Sequence, residues 1–270
     1  MPELPEVETT RLGLEPLITG QIIESVEVRE ARLRWPVEPN LASYLASQEV
    51  TGLSRRGKYL LIATAGGTLV VHLGMSGRLC YLETAGDPQR HDHVDVRFTT
   101  GARLRFNDPR RFGSMHFTTE PEHHWLLANL GPEPLGGDFT PEYLWRASRG
   151  RRVGIKQHLM NGRIVAGLGN IYANEALFRA GVHPARAAGR IARKRLDPLI
   201  GAIRAVLLEA IEAGGTTLQD FVGGDGRPGY FRVSLRVYDR AGRPCLRCGT
   251  PIKHRTLGQR SSYYCPACQR

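Results

Sequence analysis

Four cysteines near one end of the chain are spaced like metal ligands. Cys245-x2-Cys248 is followed, after 16 residues, by Cys265-x2-Cys268, and four thiolates at this spacing suit one tetrahedral Zn2+. With four cysteine ligands no coordination position stays open, so the ion is structural. It replaces a hydrophobic core that the last 35 residues could not build. Two disulfides are the competing reading, which a cytoplasmic setting disfavours. Cys80 is left over and is expected to be an inert, buried thiol at a strand end. Between the cysteine pairs, "KHRTLGQRSSYY" reads as a hairpin with Lys253, Arg255 and Arg260 at its tip, either a phosphate reader or simply exposed charge.

The other end is crowded with acids. "MPELPEVETT" sets Glu3, Glu6 and Glu8 beside a proline that becomes the first residue if Met1 is removed. Alone, the cluster reads either as carboxylates gathered around a reactive terminus or as acids favouring a helix start. Lys and Arg number 37 against 26 acids, a net charge of +11, which draws polyanions. The excess is clustered: 236–270 holds eight basic residues and one acid. Other clusters are Arg149, Arg151, Arg152 and Lys156, and Arg186, Arg190, Arg193, Lys194 and Arg195. This placement favours nucleic acid over scattered surface charge. No window approaches ~18 consecutive apolar residues and no signal peptide is visible, so the expected location is cytoplasmic, with the nucleoid.

Three blocks of elements must position these groups. A helix is expected first, with Pro5 near its start, Glu6 and Glu8 in its first turn, and Val7, Leu14, Leu17 and Ile18 as its buried stripe. "QIIESVEV", "KYLLIAT", "TLVVHL", "HVDVRFT" and "ARLRFND" then read as short strands. The Gly- and Pro-rich stretch 131–140 reads as a linker. Beyond it the pattern is helical, with one helix ending at Gly181 and another beginning at Asp197-Pro198, followed by a glycine-rich loop, 215–230. The fold class is therefore α+β: a β-sandwich with flanking helices over 1–130, a helical domain over 141–235, and a zinc-bound hairpin over 236–270.

Seven motifs occur together in order: "PELPEVE", "GKYLL", "HLGMSG", "NDPRRFG", "LGNIYANEALF", "GGTTLQDF" and "GQRSSYYCPACQ". On them the chain resembles the bacterial formamidopyrimidine-DNA glycosylase family along essentially its whole length. That family removes oxidised purines, notably 8-oxoguanine, from double-stranded DNA and then cleaves the abasic strand. The resemblance implies that the second block is a helix-two-turn-helix domain. It makes Pro2 the nucleophile, consistent with an α-amino group that titrates near ~8. It makes Glu3 the general acid/base, Glu6 a second carboxylate of the site, Lys58 the proton donor for β-elimination, and Arg260 the group for δ-elimination and phosphate binding. An arginine is a poor proton donor, so clamping phosphate is its better-founded role. Glu8 is expected to point elsewhere, as a surface acid.

A base removed from the stack leaves a hole. The resemblance assigns Met75 as the wedge that fills it, with Arg110 and Phe112 facing the orphaned partner. His91 and Arg151 match other DNA-contacting positions. Asn170 heads a helix N-terminus suited to phosphate, Lys156 is expected to reach the same backbone, and Tyr172 reads as core packing. The Met-Arg-Phe set and Leu4 weigh against the pyrimidine-preferring endonuclease VIII branch, which stays as one alternative beside a non-catalytic binder of damaged DNA. Two positions depart from the family pattern: Gly223 where Asn is frequent, which bears on the loop closing over the base, and Asn161 where Asp is common. A monomer is expected.

Overall fold

The computed structural model describes residues 2–84, 86–215 and 235–270. Most of the expected lid loop, 215–230, including Gly223, therefore lies outside the described residues. The chain divides into two compact units, 1–128 with 211–232, and 129–210 with 233–270. Among the described residues no helix is long and apolar enough to cross a membrane.

The first unit is a β-sandwich. One antiparallel sheet runs β1 (Ile23–Val28), β6 (Asp92–Phe98), β7 (Arg103–Asn107), β5 (Arg78–Leu82); the other runs β2 (Val50–Arg56), β3 (Tyr59–Thr64), β4 (Gly67–His72), β8 (Ser114–Thr118). Alternation in β3 turns Leu60, Ile62 and Thr64 inward. Leu60 and Ile62 join Val96, Phe98, Leu104 and Phe106 of the facing sheet in one core. Helix α1 (Leu4–Ile18) packs on β2 and β3, and the short α2 (Leu41–Leu45) packs on β1. Val7, Leu14 and Ile18 of α1 are fully buried, whereas Leu17 only flanks the core.

Strands β2, β5 and β8 lie outside the segments whose pattern reads as strand. Cys80 sits mid-strand in β5 opposite Arg105, not at a strand end, and burial raises its thiol pKa.

The second unit carries α3 (Pro141–Ser148), α4 (Ile155–Leu159), α5 (Asn170–Arg179), α6 (Leu196–Glu212) and the hairpin β9 (Lys253–Leu257), β10 (Arg260–Tyr264). Helix α5 is buried from Ile171 through Phe178, so it is enclosed nearly all round. Tyr172 is core packing, as expected. The stretch 131–140 packs within this unit. Arg204 of α6 donates to the carbonyls of Pro134, Gly136 and Phe139, and Phe139 is completely buried.

Candidate active site and nucleic-acid interface

Pro2, Glu3 and Glu6 are all buried, the two acids with 2% of their surface exposed. Glu3 is the N-cap of α1, and Glu3 and Glu6 form a capping box. In it the Glu3 amide donates to Glu6 Oε2 at 2.8 Å, and the Glu3 carboxylate accepts from the Glu6 amide. One reciprocal pair thus caps the helix and holds both carboxylates next to Pro2 in the chain. Gly215 takes φ +82°, and a β-carbon there would lie 3.4 Å from Glu6 Cγ.

Glu8 departs from expectation. It lies in the second turn, where its Oε2 accepts from Arg55 Nε at 2.9 Å and its Oε1 from Arg11 Nε at 2.9 Å. Burial opposes its ionisation, but the bonds and charge of Arg11 and Arg55 outweigh that and hold its carboxyl below the ordinary value. Arg55 also donates through Nη1 to the Gly57 carbonyl at 2.9 Å. Gly57, with φ +59°, forms the β2–β3 turn that presents Lys58.

Lys58 precedes Tyr59, which pairs with His72 at the end of β4. Burial, then the charges of Lys58 and Arg34, push the His72 pKa down to about 4. Its Nδ1 accepts from the Gly74 amide at 3.0 Å, which fixes the tautomer. The loop that follows carries half-buried Met75 and is pinned to the 108–113 loop. Asp108, 0% exposed, accepts from Ser76 Oγ at 2.9 Å, from the Gly113 amide at 2.8 Å and from the Arg110 amide at 3.3 Å. The backbones are so close that a β-carbon on Gly74 would lie 2.4 Å from Gly113 N.

Arg110 stacks on the Phe112 ring at 4.9 Å, and Phe112 is 41% exposed. The His91 carbonyl accepts from the Asp108 amide at 3.0 Å. His91 also lines a cleft of about 490 Å³ with Arg29, Arg90, Pro109 and Arg111. The first unit therefore gathers His91, Met75, Arg110 and Phe112 around Asp108, a hub that sequence reasoning misses although it stands in "NDPRRFG".

In the second unit Asn170 opens α5, and its Oδ1 is buried without a hydrogen-bond partner among the described residues. Arg151 is exposed. Lys156 is held inside this unit. It is 1% exposed, and its Nζ donates to the Ser261 carbonyl at 2.5 Å and to Ser262 Oγ at 2.7 Å. A buried ammonium needs such acceptors, so this lysine braces β10. Asn174 acts alongside it: Nδ2 donates to the Asn170 carbonyl at 2.6 Å and Oδ1 accepts from the Tyr263 amide at 2.9 Å.

Gly258 and Gln259 take φ +56° and +60°, the pattern of a type I′ turn, and Arg260 follows at the turn, exposed. Lys253 pairs with Tyr264 at the opposite end of the hairpin, not at its tip. Asn161 Oδ1 accepts from the Arg163 amide at 3.1 Å, an acceptor role that an aspartate would also fill.

The four cysteine Sγ atoms lie within 4.8 Å of one another and none is in a disulfide. Zn–S bonds of ~2.3 Å in a tetrahedron require S···S near ~3.8 Å; Cys248 Sγ lies 3.4 Å from Cys268 Sγ and 3.5 Å from Cys265 Sγ, and Cys245 Sγ lies 4.0 Å from Cys268 Sγ. Gly249, at φ +74°, turns the first knuckle, its amide donating to the Cys245 carbonyl at 2.9 Å. The donor set and spacing fit one Zn2+.

Comparison with known proteins agrees along the chain. Residues 1–115 match the formamidopyrimidine-DNA glycosylase N-terminal domain, 130–222 the formamidopyrimidine-DNA glycosylase H2TH domain, and 242–270 the zinc finger found in FPG and IleRS. The formamidopyrimidine-DNA glycosylase of Alkalilimnicola ehrlichii is 56% identical over 277 residues, covering all of both chains. The crystal structure of the MutM (FPG) protein of Thermus thermophilus is 39% identical, with a TM-score of 0.89 over 99% of this chain and 98% of that one. A Lactococcus lactis FPG mutant, solved with DNA containing Fapy-dG, is 33% identical, with a TM-score of 0.92 and full coverage of both chains.

Proposed function

The chain belongs to the formamidopyrimidine-DNA glycosylase family, a zinc-finger DNA glycosylase of oxidised-base repair, and from that premise we propose a bifunctional glycosylase and abasic-site lyase acting through Pro2 on double-stranded DNA. With Met1 removed, the neutral Pro2 nitrogen attacks C1′ of the damaged nucleotide. The C1′–N bond to the base breaks, and the base departs with the electron pair and takes up a proton. Glu3 protonates the sugar ring oxygen as the ring opens, leaving a Schiff base between Pro2 and C1′. Glu6 holds Glu3 and the terminus in place.

The Schiff base acidifies the C2′ proton. Its loss expels the 3′ phosphate by β-elimination, with Lys58 shuttling the proton; δ-elimination then expels the 5′ phosphate, with Arg260 clamping it. Met75 fills the vacated stack, and Arg110 with Phe112 faces the orphaned base. His91, Arg151 and Asn170 hold flanking phosphates. Zn2+, bound by Cys245, Cys248, Cys265 and Cys268, supplies only the rigidity of the hairpin that carries Arg260. We assign the chain three functional parts, 1–130, 141–235 and 236–270, acting as a monomer on 8-oxoguanine and formamidopyrimidine lesions.

The capping box supports this reading: opening of the sugar ring needs an acid near the attacking nitrogen, and Glu3 and Glu6, close to Pro2 in the chain, are buried and bonded to each other. Borohydride reduction of the protein with duplex containing 8-oxoguanine opposite cytosine tests it. A covalent adduct is expected, abolished by Pro2→Gly with an added N-terminal extension. Binding without an adduct would mark a non-catalytic reader of damaged DNA. Faster excision of oxidised thymine than of 8-oxoguanine would mark an endonuclease VIII-like preference.

A further inference from the structure

In the first unit, far along the chain from the acid cluster, two imidazole nitrogens are buried with no hydrogen-bond partner among the described residues: Nε2 of His116 and Nδ1 of His124. Their rings lie 5.6 Å apart, centre to centre. His116 projects from β8, where it pairs with Val70. His124 sits in a turn anchored by its own carbonyl, which accepts from the amides of Leu127 and Ala128. The other ring nitrogen of His116, Nδ1, faces Glu38 Oε1 at 3.9 Å. Trp125 lies 5.7 Å from each imidazole and meets Trp35 edge-on at 5.1 Å.

A buried polar atom without a partner is unfavourable, because it has lost its hydrogen bonds to water. Two of them on rings whose centres lie 5.6 Å apart call for a guest that both can bind. We propose that His116 Nε2 and His124 Nδ1 form a second metal site, for one divalent transition ion of the class that prefers imidazole. Two imidazoles on one ion at ~2.1 Å keep their ring centres roughly 5–6 Å apart, as found here.

Glu38 Oε1, 3.9 Å from His116 Nδ1, makes no hydrogen bond to it but lies on the side from which outer carboxylates orient metal-bound histidines. Nitrogen donors separate this site from the thiolate cluster, which favours softer ions. Water completes the coordination sphere. The ion would staple β8 to the 121–128 turn and order the Trp35–Trp125 pair. None of this depends on the glycosylase mechanism proposed above.

Ni2+ added to the zinc-loaded, untagged protein provides the test. Equilibrium dialysis is expected to show one equivalent bound with zinc retained. Tryptophan emission is expected to be quenched, because two of the three tryptophans adjoin the site. His116→Asn and His124→Asn should each weaken Ni2+ binding at least tenfold and remove the quenching, with glycosylase activity unchanged. Trp125→Phe should keep the binding and lose most of the quenching. X-ray absorption at the nickel edge needs no variant and should show two imidazole ligands. No nickel beyond the zinc site, as a bridging water between the imidazoles would give, overturns the proposal, as does a spectrum with sulfur ligands or none from imidazole.

Discussion

Glu8 of α1 and Arg55 of β2 are joined by a 2.9 Å ion pair, and the same arginine reaches the carbonyl of Gly57. A helix that begins at the proposed nucleophile is thereby tied to the turn that carries the proposed proton donor. Glu8→Gln leaves Arg55 without its anion, while Arg11 keeps Glu15 at 2.7 Å, at a cost of about 1–3 kcal/mol. Strand cleavage should slow more than Schiff-base formation, because Lys58 loses its support while the capping box stays intact. Comparing trapped adduct with nicked product measures this. The depressed Glu8 pKa means that the carboxylate stabilises the fold above its ordinary value near 4.5. That contribution is lost as pH falls through the native pKa, so acid unfolding of Glu8→Gln should be flatter there.

His72 titrates in a different window. Its native pKa, about 4, lies below the ordinary 6.5, so the unfolded chain binds the extra proton first as pH falls. Its contribution is complete above pH ~6.5 and fades as pH drops toward 4. Urea unfolding midpoints measured from pH 7 to pH 4 should fall less steeply in His72→Gln than in the unsubstituted protein.

Gly74→Ala places a β-carbon 2.4 Å from the backbone of the facing loop, at φ +65°. Left-handed backbone alone costs about 1–3 kcal/mol, and the clash must push Met75 away from Arg110. A loss of at least ~2 kcal/mol is expected. Discrimination between cytosine and adenine opposite the lesion should collapse with it, read from excision rates on the two duplexes.

Lys156→Met removes the ammonium and leaves the Ser261 carbonyl with one buried bond fewer, worth about 1–3 kcal/mol. The hairpin bearing Arg260 should loosen. The ratio of δ- to β-elimination products is expected to fall, whereas base release should change less.

Zinc removal should be more severe. A strong chelator is expected to unfold the 236–270 segment and to lower affinity for lesion duplex at least a hundredfold. The sandwich, whose core contains no residue of that segment, should keep its unfolding transition. Circular dichroism and gel shift on one preparation separate the two effects.

Local pattern makes part of this architecture legible in the sequence itself. The cysteine spacing, the strands of alternating apolar residues and the helix after Asp197-Pro198 all depend on neighbours in sequence. Strands β2 and β8 do not announce themselves, because "VTGLSRR" and "SMHFT" mix glycine, hydroxyls and charge. They become strands by pairing with β3 and β4. Side chains whose partners lie far along the chain are equally hidden. Glu8 meets an arginine 47 residues away and Lys156 a carbonyl 105 residues away, so both serve as braces that local pattern does not show. The histidine pair shows no motif at all.

Asp108 holds the two loops by one carboxylate, so on the roles proposed here neither can travel alone. Probing a base pair with the thioether and querying its partner with the guanidinium become one all-or-none stroke. An ill-matched partner would withdraw the probe together with the reader, shortening the protein's stay at undamaged sequence without any separate rejection step.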